Sequence, residues 1–121
     1  MVIDDNRDIA NAFKEFLEID GFSVDTFNDP LIALDYFRSK PKENAMVISD
    51  VRMPHMNGIE LVSNMKAIEP KIKVIFITAY DIDNIKQDLQ KHNYEIEEIF
   101  QKPISMITLC EKVRKHLAKG K

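Results

Sequence analysis

Ala45-Met46-Val47-Ile48-Ser49-Asp50-Val51-Arg52-Met53-Pro54-His55-Met56-Asn57-Gly58 reads as a strand, a loop and the approach to a helix. Residues 45–49 form a nearly continuous apolar run, the pattern of a strand buried on both faces, as in parallel sheets with helices above and below. The run ends at Asp50, whose carboxylate is therefore expected at the strand's carboxyl end. Beyond the loop, Ile59, Val62 and Met65 recur at helical spacing, and Pro70 stands just past the helix's end.

The flanks repeat this alternation. Met1 to Ile3 is a short apolar run ending at Asp4 and Asp5, after which Ile9, Ala12, Phe13, Phe16 and Leu17 recur at helical spacing until Gly21. Phe22, Val24 and Phe27 predict a second strand. Asn28-Asp29-Pro30 supplies a cap and a proline suited to the first helical position, with Leu31, Leu34 and Phe37 continuing the apolar face. Lys40-Pro41-Lys42 marks the loop out of that helix. Val74 to Ile77 predicts a fourth strand stopping at Thr78, Ile82, Ile85 and Leu89 a fourth helix, and Ile99 and Phe100 a short fifth strand. Met106, Cys110, Val113 and Leu117 mark the last helix. Five strands alternating with five helices predict a doubly wound α/β fold, because parallel neighbours need crossovers and those crossovers are right-handed. Sites in such folds lie beyond the carboxyl ends of the strands, where strand order reverses. Asp4, Asp5, Asp50, Thr78 and Lys102 each end or follow a strand, so all five are expected at one edge of the sheet.

The 121 residues suit one domain over 1–121, with 45% hydrophobic and 31% charged residues placing the chain among globular proteins rather than disordered or membrane ones. There are no internal repeats, and neither a membrane-length apolar run nor a secretory signal is seen, which makes the cytoplasm the expected compartment. Cys110 is the only cysteine and excludes an internal disulfide; its place on the apolar side of the last helix predicts a buried, inert thiol. A net charge of -3 with scattered lysines and arginines argues against direct nucleic-acid binding. Lys119, Gly120 and Lys121 read as a frayed end.

Three carboxylates converging on one edge repel one another unless a cation lies among them, and hard oxygen donors suit Mg²⁺. An aspartate beside such a cation can attack phosphorus. Phosphoryl transfer then needs chiefly position and positive or hydrogen-bonding groups, which Lys102 and Thr78 offer. Taken alone, Asp4-Asp5 reads as a helix cap, Thr78 as a strand-end hydroxyl and Lys102 as a solvated charge; only their joint placement reverses this. Gly58 and Pro54 are assigned structural roles in a left-handed or tightly packed turn. His55, His92 and His116 lack metal-site spacing and are expected at the surface, and Met53 and Met56 are expected to pack rather than bind a soft metal. Arg52 and Tyr80 each follow a site residue by two positions, and are expected to overhang it and restrict water.

Val2-Ile3-Asp4-Asp5, Ile48-Ser49-Asp50-Val51-Arg52-Met53-Pro54-His55-Met56-Asn57-Gly58, Phe76-Ile77-Thr78-Ala79 and Lys102-Pro103, in that order, resemble the receiver domain of two-component response regulators over nearly the whole chain. The resemblance implies a CheY-like, flavodoxin-like sheet of order 2-1-3-4-5. It implies that Asp50 is the phosphoacceptor, that Asp5, Asp50 and the backbone carbonyl of Arg52 bind Mg²⁺, with Mn²⁺ as a substitute, and that Asp4 helps through water. Thr78 would bond a phosphoryl oxygen, Lys102 would pair with the phosphoryl group or with Asp50, and the Lys102-Pro103 bond would be cis. The implied donor is a phosphohistidine on a sensor histidine kinase or phosphotransfer protein, or a small acyl phosphate. Phosphotransfer and dephosphorylation would be self-directed, so the chain is expected to be a signalling domain rather than an enzyme. Its output face would be the fourth helix, fifth strand and fifth helix, where a homodimer could form.

Departures from the pattern touch the output. The family's aromatic position three residues before the lysine holds Ile99, with Phe100 after it, and residues 92–98 replace the usual Gly-Ala approach to strand five. Strand one offers only three residues before Asp4. A pseudo-receiver that docks without phosphorylation is the alternative, opposed by the complete set of five polar residues. A haloacid-dehalogenase-like hydrolase would need an aspartate where Arg52 stands, and three glycines cannot supply a P-loop.

Overall fold

The computed structural model describes residues 1–119; the end expected to fray at Gly120 and Lys121 lies outside the described residues, while Lys119 closes the last helix. The elements run β1 (Val2–Ile3), α1 (Arg7–Ile19), β2 (Thr26–Phe27), α2 (Pro30–Ser39), β3 (Met46–Asp50), α3 (Gly58–Ile68), β4 (Lys73–Thr78), α4 (Ile82–Gln90), β5 (Glu98–Gln101) and α5 (Met106–Lys119). The strands form one parallel sheet in the order β2-β1-β3-β4-β5, as expected. After β1 the chain turns one way to β2 and then returns past β1 to β3, so strand order reverses between β1 and β3. The crevice that such a reversal opens lies at their carboxyl ends, beside Asp4 and Asp50.

The apolar run of β3 is divided between two core layers by the two-residue period of a strand. Val47, with Val74 and Phe76 of β4, enters the layer beneath α2, α3 and α4 together with Leu34, Phe37, Leu61, Val62, Met65 and Ile85. Met46 and Ile48, with Ile75 and Ile77 of β4, face the layer beneath α1 and α5, where Ala10, Phe13, Leu17, Leu109 and Val113 pack. Burial of an aliphatic side chain contributes about 1.5–3 kcal/mol, so the central strands hold both layers of helices against the sheet. The helices start where local chemistry satisfies their first N–H groups. Asn6 accepts from the N–H groups of Asp8 and Ile9, Asp29 caps α2 with Pro30 following, Asn57 caps α3 and Asp81 caps α4.

Three expectations change. Only Thr26 and Phe27 of the second strand pair with the sheet; Phe22 and Val24 contribute side chains to the α1/α5 layer without joining the ladder, since β2 is an edge strand paired on one side. Phe16 and Leu31 are 46% and 44% exposed, because the buried stripes of their helices run through Ala10, Phe13 and Leu17, and through Ala33, Leu34 and Phe37, leaving them on the flanks. His116 is not a free surface residue: its side chain is 11% exposed and its Nε2 lies 2.7 Å from Glu98 Oε2, tying α5 to β5. His55 is exposed and His92 half-buried. Cys110 is buried as expected, its Sγ 3.8 Å from the Phe16 carbonyl oxygen, and burial pushes the thiol's pKa up.

The loop after β3 is tight. His55 takes a positive φ of 74°, Met56 N–H donates to the Pro54 carbonyl at 2.9 Å, and Gly58 N–H donates to the Val51 carbonyl at 2.6 Å. Met53 and Met56 pack against the α2/α3/α4 layer. Gly58 is thus needed for close approach rather than for a left-handed turn. A Cβ there would collide with the Asp50 carbonyl oxygen and press on Ser49 Oγ and Val51 Cα, each 3.1 Å away. Gly58→Ala is expected to destabilise the fold by about 1–3 kcal/mol, read as a lower urea midpoint with an unchanged m-value.

Candidate functional site

The ends of four strands, β1, β3, β4 and β5, build a single acidic pocket. Asp4, directly after β1, is buried, and Asp5 beside it is exposed. Asp50 closes β3 with its side chain 10% exposed. One carboxylate oxygen from each of Asp4, Asp5 and Asp50 lies within 4.8 Å of the others. Lys102, directly after β5, reaches across: its Nζ is 2.9 Å from Asp4 Oδ2 and 3.1 Å from Asp50 Oδ2. The Lys102-Pro103 peptide bond is cis.

Each charged group is held by the backbone around it. Asp4 Oδ1 accepts the Asn6 N–H at 2.9 Å, and the Asp4 carbonyl accepts Asn28 Nδ2 at 3.0 Å. Asp50 Oδ1 accepts the N–H of Val51 at 2.7 Å. Lys102 N–H donates to the Thr78 carbonyl at 2.7 Å, so β4 fixes the start of the lysine's reach. Thr78 is fully buried, and its Oγ1 accepts the Tyr80 N–H at 3.0 Å. Since Asp50 pairs with Ile77 in the β3/β4 register, Thr78 stands one residue beyond it at the neighbouring strand's end. Arg52 follows in the β3/α3 loop, with its guanidinium carbon 4.4 Å from the centre of the Tyr80 ring.

Burial raises the pKa of the Asp50 carboxyl, and the charge of Asp4 adds to the rise; the Lys102 ammonium and the Val51 N–H oppose it without cancelling it. Burial alone would lower the pKa of Lys102, but its hydrogen bonds and charge pairing with Asp4 and Asp50 outweigh that, and the net direction is up. Lys102 therefore stays charged, one cation against three carboxylates. The donor set is all hard oxygen, close enough to share one ion, and fits a divalent cation such as Mg²⁺.

The five residues expected at one edge are thus found at the adjoining ends of β1, β3, β4 and β5, with Asp4, Asp5 and Asp50 close together and Lys102 paired to Asp4 and Asp50. Lys102 also pairs with Asp4, and Asn6 and Asn28 support Asp4, contacts beyond those expected from the motifs. Asn6 precedes a helical apolar pattern, the local signal of a cap; the Asn28 bond to Asp4 has no local signal, because the two lie 24 residues apart.

The family model for the response regulator receiver domain matches residues 1–114. The chain belongs to this family. Among curated proteins, this receiver domain is 32% identical over 115 residues to the C4-dicarboxylate transport transcriptional regulatory protein DctD of Rhizobium meliloti, covering 94% of this chain and 24% of that protein. It is 28% identical to sporulation initiation phosphotransferase F of Bacillus subtilis, covering 97% of this chain and 91% of that one. Other relatives, such as the transcriptional regulatory protein CreB of Escherichia coli, are about twice as long, the match covering 51% of CreB. A receiver domain structure from Clostridium thermocellum superposes with a TM-score of 0.87 at 28% identity, covering 98% of this chain and 93% of that one. A CheY-like receiver domain protein from Methanospirillum hungatei gives 0.86 at 24% identity, covering 98% and 91%, which speaks for the fold alone. The receiver domain is a signalling module of two-component systems.

The raised Asp50 pKa has a stability consequence. Ionising a carboxyl whose folded pKa is raised costs folding free energy; stability is full below the ordinary carboxylate range and is lost as pH rises through the folded value. Asp50→Asn is therefore expected to be more stable than the wild type at neutral pH in chelator-containing buffer, with the difference closing as pH falls below about 4. Urea unfolding of both proteins across pH checks this.

Proposed function

We propose that the domain is a phosphorylation switch in which Asp50 accepts a phosphoryl group, a reading supported above all by the convergence of Asp4, Asp5 and Lys102 on Asp50. One Asp50 carboxylate oxygen attacks phosphorus, and the bond from phosphorus to the donor breaks with its electron pair leaving on the donor. With a phosphohistidine of a sensor kinase or phosphotransfer protein, the leaving imidazole takes up a proton; with a small acyl phosphate, the leaving group is a carboxylate. Asp5, Asp50 and the backbone carbonyl of Arg52 would hold Mg²⁺, or Mn²⁺ in its place, with Asp4 acting through water; when bound, the ion supplies positive charge that offsets the attacking and transferring oxygens.

The chain's own groups supply the rest. Lys102, already 3.1 Å from Asp50, turns its ammonium to the arriving phosphoryl oxygens. The Thr78 hydroxyl accepts from Tyr80 N–H and still has its own proton to donate to a phosphoryl oxygen. Added charge near -2 then shifts Thr78 and its loop, and the change is read on the face of α4, β5 and α5, by a partner or by a second copy. Ile99, half-buried against the α2/α3/α4 layer, stands on β5 where the family pattern has an aromatic, so this face signals by repacking an aliphatic side chain. Phosphotransfer and its reversal by water are self-directed, on the single unit 1–121. The net charge of -3 argues against direct nucleic-acid binding by this domain. Among the described residues no helix is long and apolar enough to cross a membrane. A cytoplasmic setting fits the kinase donor.

Incubation with acetyl phosphate, with and without Mg²⁺, followed by intact mass measurement tests the reading. The expected result is a gain of one phosphoryl mass that requires the metal, disappears on chelation and is absent in Asp50→Asn. A wild-type mass that never changes would leave only the docking alternative.

A further inference from the structure

Tyr94 stands in the segment between α4 and β5, where the chain departs from the family pattern, and its hydroxyl donates to the Ile59 carbonyl at 2.9 Å across 35 residues of chain. Asn93 before it takes a positive φ of 42°, a conformation that asparagine tolerates better than most residues. The half-buried Tyr94 ring packs against the layer beneath α2, α3 and α4. Burial pushes the phenol's pKa up, so the hydroxyl keeps its proton and donates. Among the described residues this is the one hydrogen bond from residues 93–96 to another element. On one side of them His92 N–H closes a turn on the Leu89 carbonyl at 3.0 Å; on the other, Glu97 N–H donates to the Val74 carbonyl at 2.9 Å.

The acceptor of the tyrosine's bond is tied to the acidic pocket. Ile59 is the second residue of α3 and is 3% exposed. Gly58 before it donates to the Val51 carbonyl at 2.6 Å and lies so near Asp50 that a Cβ there would collide with the Asp50 carbonyl oxygen. Consecutive contacts therefore join the backbone of Asp50, the first turn of α3 and the segment that leads into β5, and this chain of contacts passes through neither Thr78 nor Ile99.

We propose that Tyr94 is a positioning residue that links the state of Asp50 to residues 93–96, with its hydroxyl on the Ile59 carbonyl as the joint. This rests on the reading of Asp50 as phosphoacceptor, and it gives the output face a route from β3 beside the one from β4. A phosphoryl group on Asp50 restrains the loop between β3 and α3. The first turn of α3 is held to that loop and takes up the change, and the Ile59 carbonyl goes with it. A small displacement suffices, because a hydrogen bond weakens steeply as its angle departs from linear. Residues 93–96 have no other hydrogen bond to hold them back, so they follow the tyrosine.

The test is nuclear magnetic resonance of the ¹⁵N-labelled full chain, with excess acetyl phosphate and Mg²⁺ added and intact mass confirming phosphorylation in the same sample. In the wild type the amide signals of residues 93–96 are expected to shift on phosphorylation. In Tyr94→Phe, which keeps the ring and removes the hydroxyl, that shift should be lost, while the phosphoryl mass is gained and the signals beside Asp50 and Thr78 move as in the wild type. Ile96→Val alters packing in the same segment without touching the hydroxyl, and should keep the shift. A merely structural role for Tyr94 would lower the unfolding midpoint of Tyr94→Phe and leave its phosphorylation-dependent shift in place. That result overturns the link, as do wild-type signals that stay still on phosphorylation, or an Ile96→Val variant that loses the shift as fully as Tyr94→Phe; all three leave the role of Asp50 intact. A wild-type chain that gains no phosphoryl mass overturns the reading of Asp50 and the link with it.

Discussion

The site depends on one ammonium held between two carboxylates. Lys102 lies 98 residues from Asp4 and 52 from Asp50, yet its Nζ is within hydrogen-bond distance of both. Two buried carboxylates of like charge repel each other strongly in a medium less polar than water. Burial raises the pKa of Asp50, and the lysine's charge opposes that rise without cancelling it. One ammonium faces three carboxylates there, and their hard oxygens would suit a divalent cation.

That arrangement needs strands whose ends are set side by side, which a parallel sheet provides. β3 and β4 each send alternate side chains to two layers of helices, and this double burial locks their register: a slip of one residue would exchange the two core faces. Asp50 and Thr78 inherit their positions from that register. Gly58 then lets the next helix begin against the backbone of Asp50, so the loop that carries Arg52 is pulled tightly over the strand end.

Stability and chemistry pull in different directions here. The core gains from every aliphatic residue that β3 and β4 bury, and the same strands end in groups whose burial costs free energy. A wetter, more open edge would lower that cost. It would also weaken each electrostatic contact between Lys102, the carboxylates and a phosphoryl group, and it would admit water freely.

The local pattern of the chain was enough for the order and kind of the ten elements, for the helix start at Asp29-Pro30, and for the candidate residues at strand ends, because periodicity, capping and apolar runs act over a few neighbouring residues. The resemblance carried by its four motifs supplied the strand order. What only the tertiary structure decided involves partners distant in sequence. Lys102 pairs with Asp4 as well as Asp50, Asn28 supports Asp4, His116 turns inward to Glu98, and Phe16 and Leu31 fall outside the buried stripes. The stacking of Arg52 on Tyr80 belongs with these, since it arises from two loops that meet only because β3 and β4 are neighbours. Such contacts depend on the angles at which packed elements meet, and no local spacing along the chain encodes those angles.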